Sequence, residues 1–443
     1  MSQTIDELIS VSQKILTEQN ETVSILDENE LKNTFIDKLV YTAVFGVEDV
    51  KEYARSLIRK IAAASHIYPA SMQALYTAIG NDNIIPAFTV PAMNIRTLTY
   101  DTTRLIFRMA KEKQIGPFIL EISRGEMDYT AQRPDEYACV ILAAAIKEGF
   151  TGSVFLQADH SQFSIPRYAE DPSGERGRLM QLIDQVIAAQ FYNIDIDAST
   201  LVDLSKENLD EQQRANYENT AILTKYIRDN QPKGVMISIG GEIGHIGERN
   251  STVADFEAFM IGYLSRIDQQ PGISKVSVQT GTSHGGIPLA DGTMAKVTVD
   301  FSVLETISTI AREKYQIAGT VQHGASTLPD ELFDQFPKNK TVEIHLATGF
   351  QNIVYNNMPQ ELRDEIFAWV ENNLQKEREA GWNREQFIYK ARKKALGPFK
   401  RQLWTLSQED KQPILDALEN MLQIHFEKLG IFGTRRVVEK LYG

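Results

Sequence analysis

"FLQADHSQF", residues 155–163, carries a short apolar run that stops at an aspartate, a histidine and a serine. The run, over 154–159, is too short for a stable helix and reads as a buried strand bounded by polar residues. Seven runs of the same kind accompany it, at 84–90, 118–123, 192–197, 235–241, 275–280, 317–322 and 341–347. They are separated by roughly 25 to 45 residues, mostly helix-like, which is the pattern of a parallel barrel wrapped by helices. A doubly wound open sheet is the structural rival, and the polar residues decide between them. In a (β/α)8 barrel the chemistry collects at the C-terminal ends of the strands. Here those ends carry Ser123, Asp159 with His160, Asp197 with Ser199, Glu242, His284, His323, and His345 with Thr348.

The expected fold is therefore α/β, a TIM (β/α)8 barrel over residues 81–355. Helical extensions are expected on both sides, at 1–80 and 356–443. In the first, "TIDELISVSQKILTE" (4–18), "DENELKNTFIDKLVYTAVF" (27–45) and "DVKEYARSLIRKIAAAS" (49–65) place apolar residues at three- and four-residue spacing. The same rhythm returns after residue 355, consistent with helices that cover the barrel or build an oligomer contact.

The 443 residues are 42% hydrophobic and 24% charged, ordinary for a globular chain. A formal charge of -13 argues against nucleic acid or an anionic membrane surface as the main partner, while leaving room for a local basic pocket. The first residues, MSQTIDELIS, have neither the basic start nor the apolar core expected of a secretion signal, and no apolar run reaches the length of about eighteen residues that a membrane span needs. A cytoplasmic protein is expected. The single cysteine, Cys139, cannot form an internal disulfide and reads as a buried core thiol.

Of seven histidines, three share one setting, directly after an apolar run and beside small residues: His160 in "FLQADHSQF", His284 in "VQTGTSHGG" and His323 in "GTVQHGAST". Three imidazoles at one barrel mouth can hold a zinc ion and leave a position open for substrate. Asp159 and His160 point to opposite sides of a strand unless the chain turns there. If it turns, Asp159 faces substrate as a general acid/base or orients a neighbouring ligand. "SIGGEIGHIGERN" (238–250) sets Glu242 and Glu248 in a glycine-rich loop that can close and bring in a carboxylate. His66, His245 and His425 receive no role.

Taken together, "PAMNIR" (91–96), "ILEISRG" (119–125), "QADHS" (157–161), "IDIDAS" (194–199), "GGEIG" (240–244), "GTSHGG" (281–286), "QHGAST" (322–327) and "IHLAT" (344–348) resemble the class II, metal-dependent fructose-bisphosphate and tagatose-bisphosphate aldolases over residues 84–355. The resemblance implies zinc, or another divalent metal, bound by His160, His284 and His323. Asp159 would be the acid/base at the substrate's C4 hydroxyl, and Glu242 a metal contact in an alternative position. Glu248 matches the loop carboxylate that takes a proton from dihydroxyacetone phosphate, one or two residues ahead of the family's position. Asn94, Ser123, Gly285, Gly324, Ser326, His345 and Thr348 would meet the sugar phosphate. The glycines around His284 would let the backbone reach substrate or a monovalent cation, and a homo-oligomer is implied.

The resemblance has departures on the substrate side. Where the family's turn runs glycine-glycine-serine-glycine, this chain has Gly324, Ala325, Ser326 and Thr327, and His345 replaces an asparagine. Arg96, Arg124 and Lys296 are candidate phosphate charges. The alternatives are a sugar epimerase, or an aldolase on another ketose, using the same metal site, and a noncatalytic sugar-phosphate-binding subunit.

Overall fold

The structure, a computed structural model, describes residues 4–19, 22–244, 249–281 and 298–443. Eight strands form its centre: β1 (Val90–Asn94), β2 (Ile119–Ser123), β3 (Gly152–Gln162), β4 (Asn193–Asp197), β5 (Ser238–Glu242), β6 (Lys275–Val278), β7 (Thr320–Gln322) and β8 (Glu343–Leu346). Every neighbouring pair is parallel. The pairings β3–β4 and β8–β1 close the sheet into a barrel. Parallel strands buried on both faces need apolar residues on the helix side, and β1, β4, β5, β6, β7 and β8 are buried along their whole length.

The first strand differs from the sequence expectation of 84–90. Ile85 is 83% exposed, and the strand begins only at Val90, with Pro91 inside it. Pro91 is tolerated because β1 pairs with β2 only from Ala92 onward, so the missing N–H falls where no neighbour asks for it.

The helices follow from their punctuation. Pro134–Glu148 starts with proline at its first position and ends on Gly149, whose φ of +60° supplies the left-handed cap. Its apolar run is buried all round because the helices Ile36–Phe45 and Glu48–Ala64 pack over it as an outer layer. Val140, Ile141, Leu142 and Ile146 are each buried, stabilising by about 1.5–3 kcal/mol apiece. Cys139 lies in this layer, fully buried, and burial pushes its thiol up to about 12.

The N-terminal extension is not purely helical. Only Ile5–Ser12 of the first stretch is helix, and Leu16–Gln19 pairs antiparallel with Thr22–Ile25 as a hairpin. Ile67–Ala70 is a further parallel strand beside the first half of β3. Asn193 secures it, accepting from the Met72 N–H at 2.7 Å and donating to the Leu156 carbonyl at 2.9 Å. The following helix, Gln73–Gly80, carries Tyr76, whose hydroxyl donates to buried Glu343 of β8. At the other end of the chain Gln408–Lys428 packs on Thr348–Asn357 and Thr99–Glu112. Among the described residues no helix is long and apolar enough to cross a membrane.

Candidate active site

The turn that the sequence left conditional is present. The pairing of β3 with β4 shifts register between Ala158 and Ser161, a β-bulge, and His160 within it has a φ of +44°. A non-glycine residue in that region is strained, and bulges of this kind re-aim side chains at barrel rims. Asp159 and His160, which a regular strand would separate, therefore both reach the mouth.

Four strand ends converge there. His160 Nδ1 lies 3.2 Å from Glu242 Oε2 and 3.3 Å from Asp197 Oδ2, and His160 Nε2 lies 3.7 Å from Asp159 Oδ1. His323 Nε2 is 3.9 Å from Asp159 Oδ1, and its Nδ1 is 3.8 Å from Glu242 Oε2. The His160 and His323 rings lie 4.3 Å apart between centroids. Ligand atoms of Asp159, His160 and His323 all fall within 4.8 Å of one another, as do those of His160, Asp197 and Glu242. Two imidazoles with carboxylates are the donor set that zinc and similar divalent ions take, so these residues fit the implied metal.

The electrostatics agree with that fit. Burial, reinforced by Asp197, pushes the Glu242 carboxyl up to about 7. Burial also works against a charged His160, yet Asp159 and Glu242 outweigh it and hold that imidazole well above its usual range. Carboxylates crowded this closely favour a cation among them.

Below the mouth the lumen stays polar. Lys275 Nζ of β6 lies 2.8 Å from Gln157 Oε1 and 3.0 Å from Asp195 Oδ2, and also donates to Glu343. Despite burial, Lys275 and His345 hold the Glu343 carboxyl far below the usual carboxylate range. His345 projects from β8 between this layer and the mouth, 2.6 Å from Glu343 Oε1 and 3.2 Å from Asp159 Oδ1.

A cavity of about 620 Å³ opens above these groups. Asn94, Ser123, Asp159, His160, Glu242, His323, Gly324, Ser326, His345 and Thr348 all line it. Gly324 has a φ of +73°, which glycine adopts without strain, and a 3-10 turn, Ala325–Thr327, follows. The Ser326 hydroxyl accepts from the Ala347 N–H at 2.7 Å, tying this turn to the start of the helix Thr348–Asn357. A helix N-terminus beside a glycine turn is a ready anion site.

Comparison with known proteins adds the family. The model for "Fructose-bisphosphate aldolase class-II" matches residues 79–405. The chain belongs to that family. A search of curated proteins finds no match. Among solved structures, the fructose-bisphosphate aldolase of Campylobacter jejuni is 15% identical, with 82% of this chain and 96% of that one covered at a TM-score of 0.48. The YdjI aldolase of Escherichia coli K12 is 14% identical, with 77% and 99% covered at a TM-score of 0.41. The family match reaches past the barrel into the C-terminal helices.

For this class-II family member, the sequence-derived residues fall into two groups. Asn94, Ser123, Asp159, His160, Glu242, His323, Gly324, Ser326, His345 and Thr348 share one cavity. Glu248, His284, Gly285 and Lys296 lie outside the described residues. Asn94 donates to Glu126, which is also held by Arg96 at 2.6 Å. Arg124 is paired with buried Glu175 at 3.0 Å.

The sequence reading missed Glu121, Gln157, Asp195, Lys275 and Glu343 inside the barrel. Glu121, Gln157, Asp195 and Glu343 stand two residues before Ser123, Asp159, Asp197 and His345 on their strands. That period-two placement of polar residues in buried runs was the available signal. Arg167 and Lys393 also line the cavity, the latter from the C-terminal extension, where burial and Arg96 lower its pKa. Neither has a motif that marks it.

Proposed function

We propose that this chain is a metal-dependent aldolase that cleaves or forms a ketose phosphate, such as fructose 1,6-bisphosphate, with dihydroxyacetone phosphate as one product. The observation that carries the reading is the convergence of Asp159, His160, His323 and Glu242 at the C-terminal ends of β3, β5 and β7 in a family member. His160 and His323, with His284 as third partner, would hold the ion, and Glu242 would meet it in an alternative position. A bound divalent ion supplies Lewis-acid polarisation of the substrate's carbonyl oxygen.

The chain's own residues do the rest. Asp159 accepts the proton of the C4 hydroxyl as the C3–C4 bond breaks and the electron pair stays on C3. In the reverse direction it returns that proton to the new hydroxyl. Glu248, from the loop after β5, gives a proton to the triose carbon and removes it in condensation. The Gly324–Ser326 turn and the N-terminus of Thr348–Asn357 receive the phosphate through backbone N–H groups. The cavity volume falls in the usual range for small-ligand sites, about 300–1,000 Å³.

A second reading keeps the site and changes the substrate. Ala325 is fully buried within the proposed phosphate turn, and His345 is engaged by Glu343 where the family has an asparagine. Both favour another ketose, or epimerisation through the same bond cleavage. Product analysis on fructose 1,6-bisphosphate against unphosphorylated ketoses tests the choice. Triose phosphate from the bisphosphate supports the aldolase, and its absence alongside an epimerised ketose supports the second reading.

A further inference from the structure

The barrel interior holds six carboxylates, Glu121, Asp159, Asp195, Asp197, Glu242 and Glu343, each at most 6% exposed. Among the described residues, Lys275 is the one buried amine set among them. That ammonium and one divalent ion at His160 and His323 would supply three positive charges to these six carboxyls. Uncompensated buried charge costs several kcal/mol per ion, so the remaining carboxyls need protons or a further cation.

The geometry around His345 says where it goes. Glu343 is fixed as a carboxylate by Lys275 Nζ and the Tyr76 hydroxyl, and lies 2.6 Å from His345 Nε2. That makes Nε2 the donor and leaves Nδ1 with its lone pair in the neutral ring. Nδ1 lies 3.2 Å from Glu121 Oε2 and 3.2 Å from Asp159 Oδ1, yet makes no hydrogen bond. Glu121, 1% exposed, also keeps its Oε1 without a hydrogen-bond partner. A lone pair facing two carboxylate oxygens is repulsive unless a proton or a metal cation lies between them, and Glu121 and Asp159 draw positive charge to this ring. Ligands about 2.0 Å from a tetrahedral ion are about 3.3 Å apart, close to both observed separations. A carboxylate on the far ring nitrogen is also the usual partner of a metal-bound histidine.

We propose that Glu121, Asp159 and His345 form a second divalent-cation site, with imidazole and carboxylate donors suited to zinc or manganese. It adjoins the ion placed at His160 and His323 under the functional reading and takes Asp159 through Oδ1, leaving Oδ2 for the acid/base role. The His323 and His345 rings stand 4.2 Å apart between centroids, so the two sites are neighbours. Glu121, Asp159 and His345 all line the cavity, which gives an ion a path from the mouth.

The test is metal content of the full chain after equilibrium dialysis against Zn(II), measured by elemental analysis, with circular dichroism confirming the fold of each variant. Wild type is expected to hold two ions per chain, falling to one in Glu121→Gln and in His345→Asn. One ion in wild type that both variants retain would overturn the proposal. One ion that is lost in Glu121→Gln and kept in His323→Ala would uphold it and instead refute the first metal site. As a second readout, Mn(II)-loaded wild type should give the electron paramagnetic resonance spectrum of a coupled pair, and Glu121→Gln that of an isolated ion. An isolated-ion spectrum in fully loaded wild type would also overturn it.

Discussion

Asp159 and His160 are adjacent in the chain and yet face the same cavity, because His160 takes a φ of +44° in a bulge that shifts the pairing of β3 with β4. A regular strand would send one of them out among the helices. Under the proposed function, one distorted strand end thus delivers both the acid/base and a metal ligand.

Replacing His160 or His323 by alanine should lower aldol cleavage by at least about 100-fold, and His284→Ala should behave alike, since losing even an outer partner of a metal site costs 10–100-fold. Steady-state assays with metal analysis on folded variants check this. Full activity with metal retained in any of the three would remove that residue from the ligand set.

Lys275 offsets Asp195 and Glu343 deep in the barrel. Lys275→Met should destabilise the protein by about 3–5 kcal/mol, because two carboxylates lose their buried partner. Urea unfolding of the variant measures it. A change under about 1 kcal/mol would mean that other groups neutralise those carboxylates.

A pH dependence follows from the same cluster. Glu343 is held well below its ordinary 4.5 despite burial, through Lys275 and His345. A depressed folded pKa contributes stability that is present above the unfolded value and is lost as pH falls toward the folded one. The stability gap between wild type and Glu343→Gln should be widest above pH 4.5 and narrow below it. Thermal melts across pH 3 to 7, roughly the span over which carboxylates titrate, would show this. A gap independent of pH would contradict it.

Much of this molecule can be read from its sequence. Seven of the barrel strands lie where short apolar runs end in polar residues, since burial on both faces leaves that signature. The first strand was displaced because 84–88 is apolar without being strand, and Pro91 looks like a breaker until its pairing is known. The first expected helix runs through Glu18, yet Leu16–Gln19 pairs with Thr22–Ile25 as a hairpin. The common cavity for Asp159 and His160 rests on a tertiary bulge that no spacing encodes. Glu121, Asp195, Lys275 and Glu343 escaped notice because charge inside a buried strand becomes meaningful only once the strands close around it.

Ser326 links the turn after β7 to the Ala347 N–H ahead of Thr348–Asn357. Removing a hydrogen-bond partner from a buried donor costs about 1–3 kcal/mol. Ser326→Ala should therefore raise KM for a phosphorylated ketose roughly tenfold or more with little change in kcat, given about 1.4 kcal/mol per factor of ten. Kinetics on phosphorylated and unphosphorylated ketoses would separate the effects. An equal loss on both would place Ser326 away from the phosphate.

The central claim is metal-dependent aldol cleavage at the mouth formed by Asp159, His160, Glu242 and His323. A coupled assay for triose phosphate release from fructose 1,6-bisphosphate, run with chelator and then with added zinc, tests it most directly. Cleavage that the chelator abolishes and zinc restores is the predicted result. No triose phosphate from zinc-loaded protein, or cleavage that chelator leaves untouched in protein stripped of its metal, would contradict it.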